Sequence, residues 1–381
     1  MALRVSTIVE QRISAMKLLA AGIGVSEVAE RLGVSRQAVY DWKERHRLDP
    51  TAGLNDRSRR PHVSPTQTAE PIERRLIEER KRWGFGSKKI LRRLQDEEPE
   101  VAWPPRSTID AIFKRAGLVR ERKPVRRRFA SVRARHSYES AAAGEVMTAD
   151  YKGHYRLRNG RYCYPLLVAD PVSRYLLACD AYMEVSLEQT WATLVRVFEQ
   201  HGMPNKVHTD NGVPFGTSGH GRFSTIAARL MKYGIQPVYS RPGHPEDNGR
   251  HERLNKTLLE HTAIDPAHDR AGAQAGFDAF RSMYNDERPH ESLGQDRPVT
   301  RHRRSPRPFP RRAPIIEYEP HFETKLVDGT GRIYWQGERF YISEAFANEP
   351  IGLERIDYST WRVHYASFII GRLGDAHKLF I

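Results

Sequence analysis

Three acids stand where a carboxylate is costly unless it is used. Asp150 closes a strand-like stretch, Met147-Thr148-Ala149-Asp150-Tyr151, and Asp210 closes another, His208-Thr209-Asp210-Asn211-Gly212. Glu252 lies early on a helix that opens after Pro245-Glu246-Asp247-Asn248-Gly249. The ends of adjacent strands and the start of a helix can converge on one point. Converging carboxylates repel unless a cation neutralises them, and an all-oxygen set suits Mg²⁺ or Mn²⁺ rather than zinc. Two such ions about 3.5–4 Å apart stabilise the attacking and leaving oxygens of an in-line displacement at phosphorus. At about 100° per residue, Leu254 and Leu258 form one buried stripe while Glu252, Asn255 and Lys256 project to another side, which leaves Glu252 free to face the ions. Each acid also has an ordinary reading: a strand-end aspartate, an Asp-Asn-Gly turn, and a Glu252–Lys256 surface pair.

The elements that must position these acids are legible. Alternating apolar patterns predict strands over 146–151, 162–170, 174–182, 206–209 and 235–239, and helical periods predict helices over 186–201, 224–233, 249–262 and 271–284. Three antiparallel strands followed by α/β units imply one mixed sheet flanked by helices, a catalytic core spanning 144–297.

The flanks are of a different kind. Residues 1–49 show three helical periods: Val9, Ile13, Met16, Leu19 and Ala20; then Val25, Val28, Ala29 and Leu32; then a helix capped by Ser35. On that third helix Ala38, Val39 and Trp42 share the core side. Arg36, Gln37, Tyr40 and Lys43 face outward, residue types that reach phosphates and base edges in a major groove. A Pro/Gly/Arg linker, 50–66, precedes a second trihelical unit, 67–119, built on Ile72, Leu76, Ile77, Ile90, Leu91, Leu94, Ile109, Ile112 and Phe113. Its last helix, capped near Ser107, carries outward Arg106, Lys114 and Arg115. A basic tether, 120–143, includes Arg126, Arg127 and Arg128 and is suited to tracking a phosphate backbone. After the core, 298–314 interleaves proline with arginine as a second linker. The tail, 315–381, reads as a small β-barrel, with a hairpin at Gly337.

Charge supports a polyanionic partner. The chain has 381 residues and a formal net charge of +15. Residues 1–140 hold 31 Lys and Arg against 18 Asp and Glu, so nearly all the excess lies in the N-terminal third. A basic arm joined to a near-neutral, carboxylate-bearing region suits a protein that grips DNA with one part and does metal chemistry with another. The length predicts three or four folded units. The sequence contains no apolar run of the roughly 20 residues that would span a bilayer, and no signal-peptide pattern, so a cytoplasmic, nucleoid-associated protein is expected. Cys163 and Cys179 are the only cysteines; they fall in strand-like stretches and read as buried thiols.

These pieces carry a resemblance. Ala149-Asp150-Tyr151-Lys152-Gly153 is followed in order by Thr209-Asp210-Asn211-Gly212-Val213-Pro214-Phe215, then Ser240-Arg241-Pro242-Gly243-His244-Pro245. Next come Asp247-Asn248-Gly249-Arg250-His251-Glu252-Arg253 and Tyr284-Asn285-Asp286-Glu287-Arg288-Pro289-His290. Together they resemble bacterial insertion-sequence transposases of the Asp-Asp-Glu type, whose core has the retroviral-integrase, RNase H-like fold. The N-terminal helix-turn-helix, the second unit with its Trp83-Gly84-Phe85-Gly86, and the C-terminal β domain extend the resemblance over nearly the whole chain.

The resemblance implies that Asp150, Asp210 and Glu252 are the catalytic and metal-binding carboxylates, holding two Mg²⁺ or Mn²⁺ ions, with Asp150 bridging both; Glu246 and Asp247 do not match. It gives Lys256 a DNA contact. It also implies 3′-end cleavage and strand transfer on double-stranded DNA, at element ends and target, by a homodimer or higher oligomer. Two departures concern details: Met147 or Thr148 stands where an aromatic residue is common, and Leu259 where a basic one is. Two rival readings remain, a catalytically inactive DNA-binding regulator derived from a transposase and a metal-dependent nuclease without strand transfer.

Overall fold

The computed structural model describes residues 7–56, 67–119, 142–216, 223–241, 249–262, 265–374 and 379–380. The chain divides into two compact units, Met1–Ala69 and Glu70–Ile381.

In the first unit, helices α1 (Ile8–Ala20), α2 (Val25–Leu32) and α3 (Arg36–Leu48) enclose Ala15, Val28, Ala29, Leu32, Val39 and Trp42. Thr7 and Glu10 form a reciprocal capping box at the start of α1, and Ser35 caps α3 by accepting from the Ala38 N–H. The buried face of α1 centres on Ala15. Ile13 and Ala20, expected on that face, are exposed. Residues 50–56, the described part of the stretch that composition assigns to a linker, fold back: Arg12 donates to the Leu54 carbonyl at 2.9 Å, and Leu54 packs against the core.

The second unit begins with α4 (Glu70–Trp83), α5 (Ser87–Glu97) and α6 (Arg106–Arg115), packed on Leu76, Phe85, Ile90, Leu94, Ile109, Ile112 and Phe113. The start of α6 is Arg106 after Pro105, with no side-chain cap from the described residues. Proline's fixed φ organises that first turn instead of Ser107.

Next comes a six-stranded mixed sheet. Strand β3 (Tyr162–Ala169) pairs antiparallel with β1 (Val146–Tyr151), β2 (Tyr155–Arg156) and β4 (Leu176–Tyr182). Strands β5 (Lys206–Thr209) and β6 (Gln236–Tyr239) add in parallel beyond β1. Helices α7 (Leu187–His201) and α8 (Thr225–Lys232) pack on one apolar cluster, and α9 (Gly249–Thr262) and α10 (Arg270–Ser282) on another. A mixed sheet flanked by helices is the arrangement the sequence predicts. Cys163 and Cys179 are buried and unpaired by a disulfide.

The helix expected to run to Tyr284 instead passes into a π-helical turn, Met283–Glu287. There the buried Asn285 carboxamide satisfies both backbone groups of Leu176, accepting at 2.8 Å and donating at 2.9 Å. The widened turn lets that side chain reach across to β4.

The Pro/Arg stretch lies against the sheet's helices rather than hanging free. After α11 (Pro298–Arg301), Ser305 donates its N–H to the His201 carbonyl at 2.8 Å, and Phe309 stacks on Tyr233 with centroids 4.9 Å apart. Arg307 donates to the carbonyls of Pro204, Tyr233 and Gly234.

The C-terminal region is all β. Strands β7 (Glu323–Leu326), β10 (Pro350–Arg355), β11 (Trp361–Tyr365), β12 (Phe368–Leu373) and β13 (Leu379–Phe380) make one antiparallel sheet. Strands β8 (Arg332–Trp335) and β9 (Glu338–Tyr341) make a separate hairpin. The hairpin turns at Gln336 and Gly337, φ 50° and 82°, the left-handed pair a two-residue turn requires. The expected barrel is not there: no closed barrel forms among the described residues. The hairpin leaves the sheet, and the apolar face that closure would cover packs on Ala227, Ala228 and Met231 of α8.

Candidate active site

Strand pairing brings two of the three acids together. In the parallel β1–β5 pair Ala149 lies opposite Thr209, so the next residues, Asp150 and Asp210, emerge side by side at the same end of neighbouring strands. Strands in that pairing are about 4.8 Å apart. Asp150 is only 5% exposed. The Asp210 carboxyl is raised above the usual aspartate range, first by burial and second by the Asp150 charge, while the Gly212 N–H at 3.1 Å opposes the rise. A side chain at Gly212 would place its Cβ 3.0 Å from Asp210 Oδ2, so the carboxylate would have to shift slightly to admit one. Asn211 fastens the same loop by donating to the Ser240 carbonyl at 2.7 Å.

Met147 and Thr148, the departures in the first strand, are both buried, and Thr148 Oγ1 donates to the Ala169 carbonyl at 3.1 Å. Its hydroxyl is thereby satisfied within the sheet.

Helix α9 presents an unexpected face. Among its described side chains the buried ones are His251, Leu254, Asn255, Thr257 and Leu258. Asn255, expected to project with Glu252, instead donates from Nδ2 to Asp150 Oδ2 at 3.0 Å. His251, one turn earlier on the same face, is held neutral: burial pushes its pKa down to about 4, and the Asp210 charge opposes the shift. Glu252 and Lys256 are exposed and line an open groove with Lys152, Asn255, Leu259 and Glu260.

The site thus joins Asp150, Asp210, His251 and Asn255, with Glu252 beside them rather than among them. Among the described residues no three His, Cys, Asp or Glu side chains gather closely enough to hold a metal ion. The helix geometry keeps the remaining step small. Glu252 is about 60° in azimuth and one turn from Asn255, whose amide already touches Asp150, and Cβ atoms three apart on a helix lie about 5–6 Å from each other.

His251 and the inward Asn255 are the site residues that sequence reasoning missed. Their signal was present, since positions 251, 254, 255 and 258 form one i, i+3, i+4, i+7 stripe containing the leucines already assigned to the core.

The remaining candidates are dispersed. Arg36, Gln37, Tyr40 and Lys43 lie along the exposed face of α3, with Gln37 donating to Asp41 at 3.0 Å. Arg106 and Lys114 are exposed on α6, Arg106 lying 3.6 Å from Asp110, and Arg115 pairs with Glu73 at 2.6 Å. Arg126, Arg127 and Arg128 lie outside the described residues, as do Pro242-Gly243-His244-Pro245, Glu246 and Asp247.

Family comparisons match three stretches: residues 140–245 and 233–298 each match a model described as integrase core domain, and 9–52 match a homeodomain-like domain. The chain carries an integrase core domain. Its two matches run through both aspartates and the whole of α9, in keeping with an insertion-sequence transposase whose core is integrase-like.

Among solved structures, the integrase core is similar to the HTLV-2 integrase catalytic core domain in complex with magnesium. That match has 14% identity over 42% of this chain and 98% of that one, with a TM-score of 0.33. The BIV integrase catalytic core gives 16% identity over 41% and 92%, with a TM-score of 0.31. A simian T-cell lymphotropic virus intasome in complex with the PP2A regulatory subunit B56 gamma gives 12% identity over 76% of this chain and 91% of that one, with a TM-score of 0.40.

Proposed function

We propose that this protein is a DNA transposase that frees 3′-hydroxyls at the ends of an insertion sequence and joins them to target DNA. The observation that carries the reading is the abutment of Asp150 and Asp210 at the ends of parallel strands, where burial and mutual repulsion raise the Asp210 carboxyl. Two carboxylates, one buried and one half-buried, with oxygen donors only fit a hard divalent cation, and neutralising their repulsion is what such an ion does best. Asp150, Asp210 and Glu252 would hold Mg²⁺ or Mn²⁺, two ions in the full site, with Glu252 turning in from the groove. Bound there, the ions supply Lewis-acid activation of the nucleophile and charge stabilisation on the leaving oxygen.

The chain's own residues do the rest. Asn255 orients Asp150 through its 3.0 Å hydrogen bond, and the Gly212 N–H holds Asp210 at 3.1 Å. Lys152 and Lys256 line the groove beside Glu252 and present positive charge to a phosphate backbone. Arg36, Gln37, Tyr40 and Lys43 on α3 would read a DNA end, with Arg106 and Lys114 contacting phosphates from α6. Water and the freed 3′-hydroxyl serve as nucleophiles, so no serine or tyrosine is required. Joining two ends at once calls for at least two copies of the chain.

One observation favours a second reading, a DNA-binding regulator on an inactive core: Glu252 stands outside the aspartate pair. A Mg²⁺-dependent assay on DNA flanking the gene separates the two. Nicked 3′ ends and strand-transfer products from native protein that vanish in Glu252→Gln support the transposase. Tight binding of the correct ends without products from either protein supports the regulator.

A further inference from the structure

His251 is a buried polar side chain that the proposed chemistry leaves without a task. It is 5% exposed, and neither ring nitrogen has a hydrogen-bond partner among the described residues. An imidazole in that state is costly to bury, and a hydrophobic residue would fill the position at lower cost. The ring also borders a cavity of about 30 Å³ whose other walls include Thr148, Asp170, Arg174 and Tyr284. A space of that size holds one water when at least two polar partners surround it.

We propose that His251 is a positioning residue: with one ordered water in this cavity, it fixes the azimuth of α9 and so the approach of Glu252 to Asp150 and Asp210. The inference rests on the reading that these three carboxylates hold divalent metal. Glu252 is the next residue along the helix, about 100° around its axis, so whatever anchors His251 inward sets the direction from which Glu252 reaches. Asn255, one turn further on the same face, fixes the height of the helix through Asp150. Two polar anchors on the buried stripe thereby determine a register that Leu254 and Leu258 alone leave free to slide.

The test is Mn²⁺ binding to the full chain without DNA, followed by electron paramagnetic resonance and calorimetry beside thermal melting. Loss of binding in Asp150→Asn and Asp210→Asn locates the metal at the carboxylates. His251→Leu then weakens binding about tenfold with no fall in melting temperature, while His251→Gln, which keeps a hydrogen-bonding group, stays within about twofold of native. In a Glu252→Gln background the His251→Leu effect shrinks below about twofold, because the histidine acts through Glu252.

Native-like binding by His251→Leu, or an equal loss in both Glu252 backgrounds, overturns the inference. So does weakening in the Leu and Gln variants alike together with a fall in melting temperature, which marks a packing role. Mn²⁺ binding unaffected by either aspartate substitution removes the reading beneath it, whatever His251 does.

Discussion

Helices α1–α3 and α4–α6 each wrap three helices around a small apolar core, yet their basic side chains meet different partners. In the first unit Arg36 and Lys43 lie on an exposed face of α3, and Tyr40 is 54% exposed between them. In the second, α5 turns its basic face toward the end of the integrase core. Lys88 pairs with Glu291 at 2.8 Å, and Arg92 lies 3.4 Å from Asp296. Arg93, 5% exposed, donates to the Glu287 carbonyl at 2.9 Å and pairs with the Glu287 and Glu97 carboxylates. Arg288 sits over the Phe85 ring at 5.4 Å, and Met283 packs into the helical core. One plan therefore serves two ends: an exposed polar face available to DNA, and a face that welds a helical unit onto the integrase core.

The largest effect expected from this contrast is at Arg93. Removing a buried donor leaves its acceptors unsatisfied, a cost of about 1–3 kcal/mol once the remaining ion pairs and solvent screening are counted. Arg93→Ala is expected to lower the stability of the Glu70–Ile381 unit by that order, because the Glu287 carbonyl and carboxylate lose their donor while the buried Glu79 keeps Arg75 at 2.6 Å. Chemical denaturation followed by tryptophan fluorescence measures it. A change under about 1 kcal/mol would show that the weld is ornamental and that the two helical units are alike after all.

A smaller effect of another kind is expected from the first unit. Arg36→Ala with Lys43→Ala is expected to leave stability within about 0.5 kcal/mol of native, since both side chains are exposed. The same variant should weaken binding to the element's ends and flatten the log–log salt dependence by about 0.9 for each phosphate no longer neutralised. Fluorescence anisotropy across a salt series gives both quantities. Unchanged affinity and slope would move DNA recognition away from α3.

Much of the fold and of the site is legible in the amino-acid sequence. The bounds of β1, β5 and α9 follow from periodicity, and Asp150 and Asp210 stand out because two aspartates at strand ends and a glutamate early on a helix can converge on one point. The α9 face is misread where a polar residue is assumed to point outward, since hydropathy cannot register that Asn255 has a carboxylate waiting inside. Arg93 and Arg307 escape for the same reason. An arginine held by protein acceptors looks like a surface one until those acceptors are known, and those of the partly buried Arg307 come from residues 204–234, about 70–100 positions away in the sequence. The expectation of a barrel fails because strand patterning does not say which surface covers an apolar face, and α8 supplies that cover.

The smallest expected effect distinguishes the two helical units by pH. Lys89, on the welded face of α5, has its pKa lowered to about 7, first by burial and second by the Arg288 charge, with Glu291 opposing. In the unfolded chain a lysine titrates near 10.4. Between these values the unfolded chain binds the proton and the folded chain largely does not, so stability rises with pH across that window and is independent of Lys89 below it. The slope is at most about 1.4 kcal/mol per pH unit, reduced here by the ammonium group's partial access to solvent. Melting between pH 7 and 9 is expected to show the Glu70–Ile381 unit gaining relative to Lys89→Met, whose curve lacks this rise. A native curve parallel to that of Lys89→Met would mean that Lys89 keeps its proton through the window.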